Sequence, residues 1–283
     1  MGNTLCIYDG DAQTRQIACL VGSVLSMSAY ASYTETWDWE RYERIVFIMG
    51  PRQAMFSHFA VWQPALQHKE LAFLWNDFQN IYTERIAAAI EARLDRPLDV
   101  TAFISSENWL DDTIRAAQAI QARDKGQGNP DEAVLQAMEA FLAGHNTGVL
   151  STGWGQEVHG TPIEYVYEKG TFYFFSEGGR KFINLYRNRH AAFSVCDAFT
   201  DVQHLAGLQA EGSVRFIEPD DEAYPRIAAR KGIAPQRLAA MPVVLHVIAL
   251  DVAQMSFVWS GFLKAGRSLP QTYLFSKGAV HES

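Results

Sequence analysis

The chain has 283 residues, of which 48% are apolar and 20% charged, enough to bury the cores of two ordinary domains. A net charge of −8 argues against nucleic acid or anionic lipid as partners. Cys6, Cys19 and Cys196 are too scattered for a disulfide scaffold or a Cys-x-x-Cys metal site. No stretch reaches the ~18 uncharged apolar residues of a membrane helix. The start MGNTLCIYDGD lacks the basic and long apolar stretches of a secretion signal, so a cytoplasmic protein with no membrane span is expected.

The first half alternates short apolar runs with helical patterns. Thr4–Tyr8, Ile45–Met49, Leu71–Trp75 and Val100–Ile104 read as strands, apolar throughout as parallel strands covered on both faces are. Between them Thr14–Ser26, Ser57–Gln67, Asn80–Leu94 and Trp109–Ala122 carry apolar residues at helical spacing. This alternation predicts an α/β doubly wound domain over residues 1–125. A polar break with two glycines and a proline, Asp124–Asp131, closes it.

Residues 130–283 have another rhythm. Asp131–Ala143 reads as a helix, and Thr147–Thr152, Pro162–Tyr167, Thr171–Phe175, Ala191–Cys196, Ala206–Ile217 and Val243–Val252 read as strands. Turns such as Glu168-Lys169-Gly170 separate them, and a second helix is expected over Asp220–Lys231. The expectation is a mainly β domain, a meander or small barrel, with flanking helices.

In a doubly wound sheet ligands bind beyond the carboxyl ends of the strands, so the first loop, Asp9-Gly10-Asp11-Ala12-Gln13-Thr14-Arg15, is the first place to look. The stretches YDGDAQTRQIA, DWERYERIVFIMGPR and DVTAFISS resemble the flavodoxin family, nearest to its menaquinone-dependent protoporphyrinogen oxidase branch. That resemblance implies a flavodoxin-like fold over residues 4–123. A working phosphate loop would offer hydroxyls and N–H groups to a dianion. Asp9 and Asp11 instead put two carboxylates there, so the expected domain is a degenerate one kept for packing or dimerisation, with a flavin-holding electron relay as the alternative.

The second half contains a local cluster of cations, Arg180, Lys181, Arg187 and Arg189, in an otherwise acidic chain. It follows a strand ending in Ser176 and the turn Glu177-Gly178-Gly179. A two-glycine turn, then an Arg-Lys pair at a helix start, suits a phosphate, and a solvated basic helix face is the competing reading. The order GVLST, HGTPIEYVYEKGTFYFFSEGGRKFINLYRNRHAAFSVCD and LQAEGSVRFIE resembles the FMN-binding split barrel of the pyridoxamine 5′-phosphate oxidase-like superfamily, over residues 131–275.

The resemblance implies FMN as cofactor, its phosphate on Arg180, Lys181 and Ser176. It also implies that the ring lies along Thr161-Pro162-Ile163, flanked by Phe175, and that the molecule is a homodimer. Asn184 matches the family's Asn, with a helix-packing amide as the alternative, and Trp259 covers the ring or belongs to the core. The expected function is a flavin-dependent oxidoreductase passing electrons from NAD(P)H or a protein donor to a small-molecule or quinone-like acceptor. Two alternatives stay open: a haem-binding or haem-degrading barrel with His204 or His281 as axial ligand, and a flavin-binding sensor without turnover.

Overall fold

A computed structural model describes residues 3–52, 54–76, 80–126 and 131–275. The chain divides into two compact units, Met1–Gly128 and Asn129–Ser283. Residues 127–130 of the polar break lie outside the described residues, as does His281.

In the first unit the strands are β1 (Thr4–Tyr8), β2 (Ser28–Ser32), β3 (Arg44–Met49), β4 (Glu70–Asn76) and β5 (Val100–Ile104). All pair in parallel, in the order β2-β1-β3-β4-β5, one of the two common doubly wound arrangements. Helices α1 (Ala12–Leu25) and α4 (Trp109–Gly126) bury Ile17, Val21, Ala117 and Ile120 against one face. Helices α2 (Phe59–Leu66) and α3 (Asn80–Leu94) bury Phe59, Trp62, Ile90 and Leu94 against the other. Cover on both faces explains the unbroken apolar runs of β1, β3 and β4. Strand β2, SAYAS, is the one the sequence conceals: it is a short, half-exposed edge with no apolar run to mark it. At the amino end of the sheet Arg44 reaches Glu70 at 2.7 Å, and Arg123 reaches Asp99 at 3.0 Å, tying together the starts of β3, β4 and β5.

The second unit is a curled antiparallel sheet, consistent with a split barrel. Its strands are β6 (Thr147–Trp154), β7 (Glu157–Glu164), β8 (Val166–Glu168), β9 (Thr171–Ser176), β10 (His190–Cys196), β11 (Ala206–Ile217), β12 (His246–Trp259) and β13 (Gln271–Leu274). The order is β7-β6-β10-β11-β12-β9-β8, with β13 paired to β12, and the sheet curls until β7 approaches β9. The β8–β9 turn has positive φ at both Lys169 and Gly170, the pair of values a two-residue hairpin of this hand requires. Where the β11–β12 register shifts at Glu211/Gly212, leaving Ala253 of β12 as the extra residue, a Cβ on Gly212 would lie 2.0 Å from the Asp251 carbonyl oxygen, so only glycine fits.

Phe172, Phe174, Phe193 and Phe257 fill the interior, each stabilising by roughly 1.5–3 kcal/mol on burial. Helix α5 (Glu132–Ala143) covers this core with Val134, Met138 and Leu142, its start capped by Asp131. Helices α6 (Arg180–Arg187), α7 (Ala223–Arg230), α8 (Pro235–Ala239) and α9 (Ser260–Lys264) complete the unit. The predicted strand from Val243 begins at His246 and continues to Trp259, and the helix expected from Asp220 begins at Ala223. Among the described residues no helix is long and apolar enough to cross a membrane.

His145 fastens the end of α5 to the end of β10. Its Nδ1 lies 2.7 Å from the Phe141 carbonyl oxygen and its Nε2 2.8 Å from the Asp197 carboxylate. The Phe141 carbonyl, helped by Asp197, raises the imidazole pKa above its ordinary value of 6.5. Its stabilisation is therefore complete below that value and is lost as pH rises through the elevated one. Urea unfolding of the second unit should show a midpoint that falls from about pH 6 upward, and His145→Ala should remove that slope. An identical slope in the variant would assign the pH dependence to another group.

Candidate functional site

The carboxyl edge of the parallel sheet holds Asp9 and Asp11, the residues whose charge set the expectation for the first unit. Asp9 is 7% exposed. Its carboxylate accepts the backbone N–H groups of Gly50 (3.2 Å), Ala54 (3.2 Å) and Met55 (2.8 Å) from the loop after β3. Asp11 caps α1 by accepting the Thr14 N–H at 2.8 Å. The two carboxylates converge on Gly50, where an added Cβ would meet Asp11 Oδ2 at 2.6 Å and Asp9 Oδ2 at 3.4 Å. Three N–H groups of the loop after β3 and that of Thr14 are thus satisfied from within the chain. Burial raises the Asp9 pKa, and the three N–H donors oppose that rise.

The second unit presents the opposite situation at the ends of β9 and β6. Strand β9 delivers Ser176, whose Oγ accepts the Gly178 N–H at 3.2 Å. The turn then passes through Gly178 and Gly179 with φ of 125° and 110°, values that exclude ordinary side chains. A Cβ on Gly178 would meet nothing within 4 Å, so the turn borders open space. Helix α6 begins directly afterwards, and no side chain caps it.

Lys181, in the first turn of that helix, is only 7% exposed. Its Nζ donates to the Gly178 carbonyl oxygen at 2.6 Å, and among the described residues no carboxylate pairs with it. Burial lowers its pKa. A desolvated ammonium, a serine hydroxyl and an uncapped helix start therefore meet at one place.

Asn184, one turn further on, is buried and donates to both the carbonyl and the hydroxyl oxygen of Thr152 at 3.3 Å. It ties α6 to β6, which is the helix-packing alternative. Thr161 and Ile163 lie on β7 with side chains turned inward, and Pro162 faces out. The Thr161 Oγ1 is buried without a hydrogen-bond partner, a position that costs stability until something fills it.

Three residues depart from the expectation. Arg180 is 70% exposed, and its guanidinium donates to Glu157 on β7 at 2.7 Å, so it answers a carboxylate of the chain itself. Phe175 alternates to the other face of β9 from Ser176 and packs edge-on against Tyr224 of α7. Trp259 sits at the far end of β12, thirteen residues from His246, the partner of Ser176. Along a straight strand that separation is on the order of 40 Å. It stacks on Phe257 with ring centroids 5.8 Å apart. Within one chain, then, Ser176, Lys181 and Asn184 come together, and Phe175 and Trp259 do not join them. Sequence reasoning missed Thr152 and Glu157, whose roles depend on a β6–β7 hairpin that brings both to α6.

Of the histidines, His204 is exposed with its Nδ1 2.9 Å from Asp201, and His246 is half-buried beside Phe182. Among the described residues no group of three or more His, Cys, Asp or Glu could hold a metal ion.

Residues 134–259 match the family model described as pyridoxamine 5′-phosphate oxidase. The C-terminal half carries a pyridoxamine 5′-phosphate oxidase-like split-barrel domain. The solved structures similar to the chain include a conserved hypothetical protein of Mycobacterium tuberculosis (21% identity, 51% of this chain and 93% of that one, TM-score 0.40). General stress protein 26 of Bacillus anthracis is 13% identical over 48% of this chain and 95% of its own, with a TM-score of 0.35. The haem storage protein HutZ of Vibrio cholerae is 16% identical over 41% of this chain and 88% of its own, also at 0.35. No curated protein matches the chain. The match to the pyridoxamine 5′-phosphate oxidase model spans β6 to β12 and includes Ser176, Lys181 and Asn184.

Asp9 supports the loop after β3 through three N–H groups that have no other acceptor of comparable strength. Asp9→Ala should lower the stability of the first unit by about 2–4 kcal/mol. Urea unfolding followed by tryptophan fluorescence reads this, and an unchanged midpoint would show that solvent replaces the carboxylate without cost.

Proposed function

We infer that the second unit binds flavin mononucleotide, with the phosphate at Ser176, Lys181 and the start of α6. The observation that carries this is the Lys181 ammonium, buried and without a carboxylate. A cation in that position gains most from a dianion, and the free end of α6 supplies N–H donors and a favourable dipole to the same group. The inward Thr161 hydroxyl, lacking a partner, supports placing the ring along β7, where Thr161, Pro162 and Ile163 offer main-chain groups and an apolar wall.

FMN when bound supplies hydride and single-electron chemistry, and the protein positions it and sets its electrostatics. The function proposed is a flavin-dependent oxidoreductase acting as a homodimer, with NAD(P)H or a protein as donor and a small-molecule or quinone-like acceptor. The first unit, in this reading, is a flavodoxin-type domain whose phosphate seat is taken by Asp9 and Asp11, so one FMN binds per chain.

The test is the visible spectrum of the purified protein and titration with added FMN. Lys181→Ala should weaken FMN binding by about 10- to 100-fold, the worth of a charge-assisted hydrogen bond. Arg180→Ala should do less, because its guanidinium must leave Glu157 to reach a ligand. Glu157→Gln frees that guanidinium and should tighten binding a few-fold. A colourless protein that takes up no FMN overturns the reading.

A further inference from the structure

The segment between β11 and β12 forms a feature independent of the flavin reading. Helices α7 and α8, with the loop that leads into β12, pack on the outer face of β9 and β12 around Tyr173, Ile217, Tyr224, Ile227 and Val247. This is a small core of its own, separate from the barrel interior. Beside it opens a cleft of about 490 Å³, bounded by Tyr224 of α7, Leu238 of α8, and Met241 and Val244 of the following loop. That volume lies within the roughly 300–1,000 Å³ of small-molecule sites.

The wall is unusually poor in hydrogen-bond donors. Pro219, Pro225, Pro235 and Pro242 line it and have no N–H. The N–H groups of Tyr224, Ile233, Leu238 and Met241 are already donated to the carbonyls of Asp221, Ala228, Ala234 and Leu238. The Tyr224 hydroxyl donates to the Leu245 carbonyl at 2.7 Å. Among the lining residues the N–H groups of Val243, Val244 and Leu245 remain as donors, and the side chains other than Tyr224 are apolar, so the wall offers an anion no charged partner.

Charge near the cleft is net negative, although Arg237 of α8 is exposed and among the described residues no carboxylate pairs with it. Arg226 and Arg230 of α7 are engaged by Glu168, and Lys231 by Glu164. Glu218, Asp220, Asp221 and Glu222 are exposed, and among the described residues no cation pairs with them. A net negative rim over a wall of apolar side chains disfavours anions and favours cations.

We propose that this cleft is a binding site for a small lipophilic cation. The four prolines fix the backbone of the wall, so the site is formed before the ligand arrives. Two dyes of similar size test it by fluorescence titration of the full chain: auramine O, a lipophilic cation with an N–H donor, and anilinonaphthalene sulfonate, a lipophilic anion. Leu238→Trp fills the cleft, and Val244→Trp fills it from the facing loop should the first variant lose its cooperative melt.

The quantity compared is the part of each signal that the filling substitution removes. Auramine O should bind with 1:1 stoichiometry, at least tenfold more tightly than the anion, and lose at least tenfold in affinity in the folded variant. Absence of auramine O binding, an affinity unchanged by both substitutions, or preference for the anion in the removed part would overturn the proposal. So would a loss of self-association in Leu238→Trp with no dye binding to the native chain, which would assign the cleft to a second copy. None of these readings involves FMN, so the outcome is separate from that of the flavin titration.

Discussion

Taking an ammonium out of water is costly, and a fold that does so without supplying a carboxylate holds that cost in its native state. Lys181 is such a group. The side chain is held by its position in the first turn of α6 and by the Gly178 carbonyl, while Asn184 and Leu185 fix the helix to β6 and the barrel interior. Those contacts leave Lys181 little room to swing out to solvent. The two left-handed glycines are part of the same arrangement, because a Cβ at either would need a backbone conformation that L residues rarely adopt. The turn, the helix start and the buried cation therefore form one device, and removing any part loosens the others.

The first unit handles the same physical problem with the opposite sign. There the backbone N–H groups of a loop converge, as they do around a bound anion, but the anion is the Asp9 carboxylate of the chain itself. An internal ligand cannot dissociate, so this edge of the sheet is stabilised without any bound anion. Asp11 does the same for the start of α1. In one unit the loop donors meet a carboxylate of the chain, and in the other the Lys181 ammonium meets only a backbone carbonyl. That contrast, more than the difference in fold class, separates scaffold from candidate site.

How much of this was legible in the sequence follows from which signals are local. The covered parallel strands β1, β3 and β4 announce themselves because both faces are apolar, and β2 does not because an edge strand needs no such run. The carboxylates of Asp9 and Asp11 mark the first loop as acidic before any geometry, but do not reveal that Asp9 turns to the loop after β3. The Gly-Gly-Arg-Lys stretch likewise marks its turn and helix. It does not say which cation is buried: Arg180 and Lys181 are neighbours in sequence, but on an α-helix they diverge by about 100°. Glu157, 23 residues upstream, decides which of the two remains free. Phe175 and Trp259 lie apart from Ser176 within one chain for a related reason, because strand parity and strand length, not motif order, decide which face and which end a residue reaches.

The insertion between β11 and β12 shows how a second chemistry can be added without disturbing the first. Its helices rest on Tyr173 and Val247, which point away from the barrel interior, so the packing of Phe172, Phe174 and Ile248 is untouched by what lies outside. Strand alternation makes this possible, since one strand serves two cores with alternate residues. Tyr224 anchors the insertion by a hydrogen bond to Leu245, the residue just before β12 begins. His246, the next residue, pairs with Ser176. The cleft and the Lys181 turn are thus built on adjacent backbone but open to opposite faces of the sheet, and their charges differ accordingly. One place holds a buried ammonium, and the other prolines with acidic residues nearby.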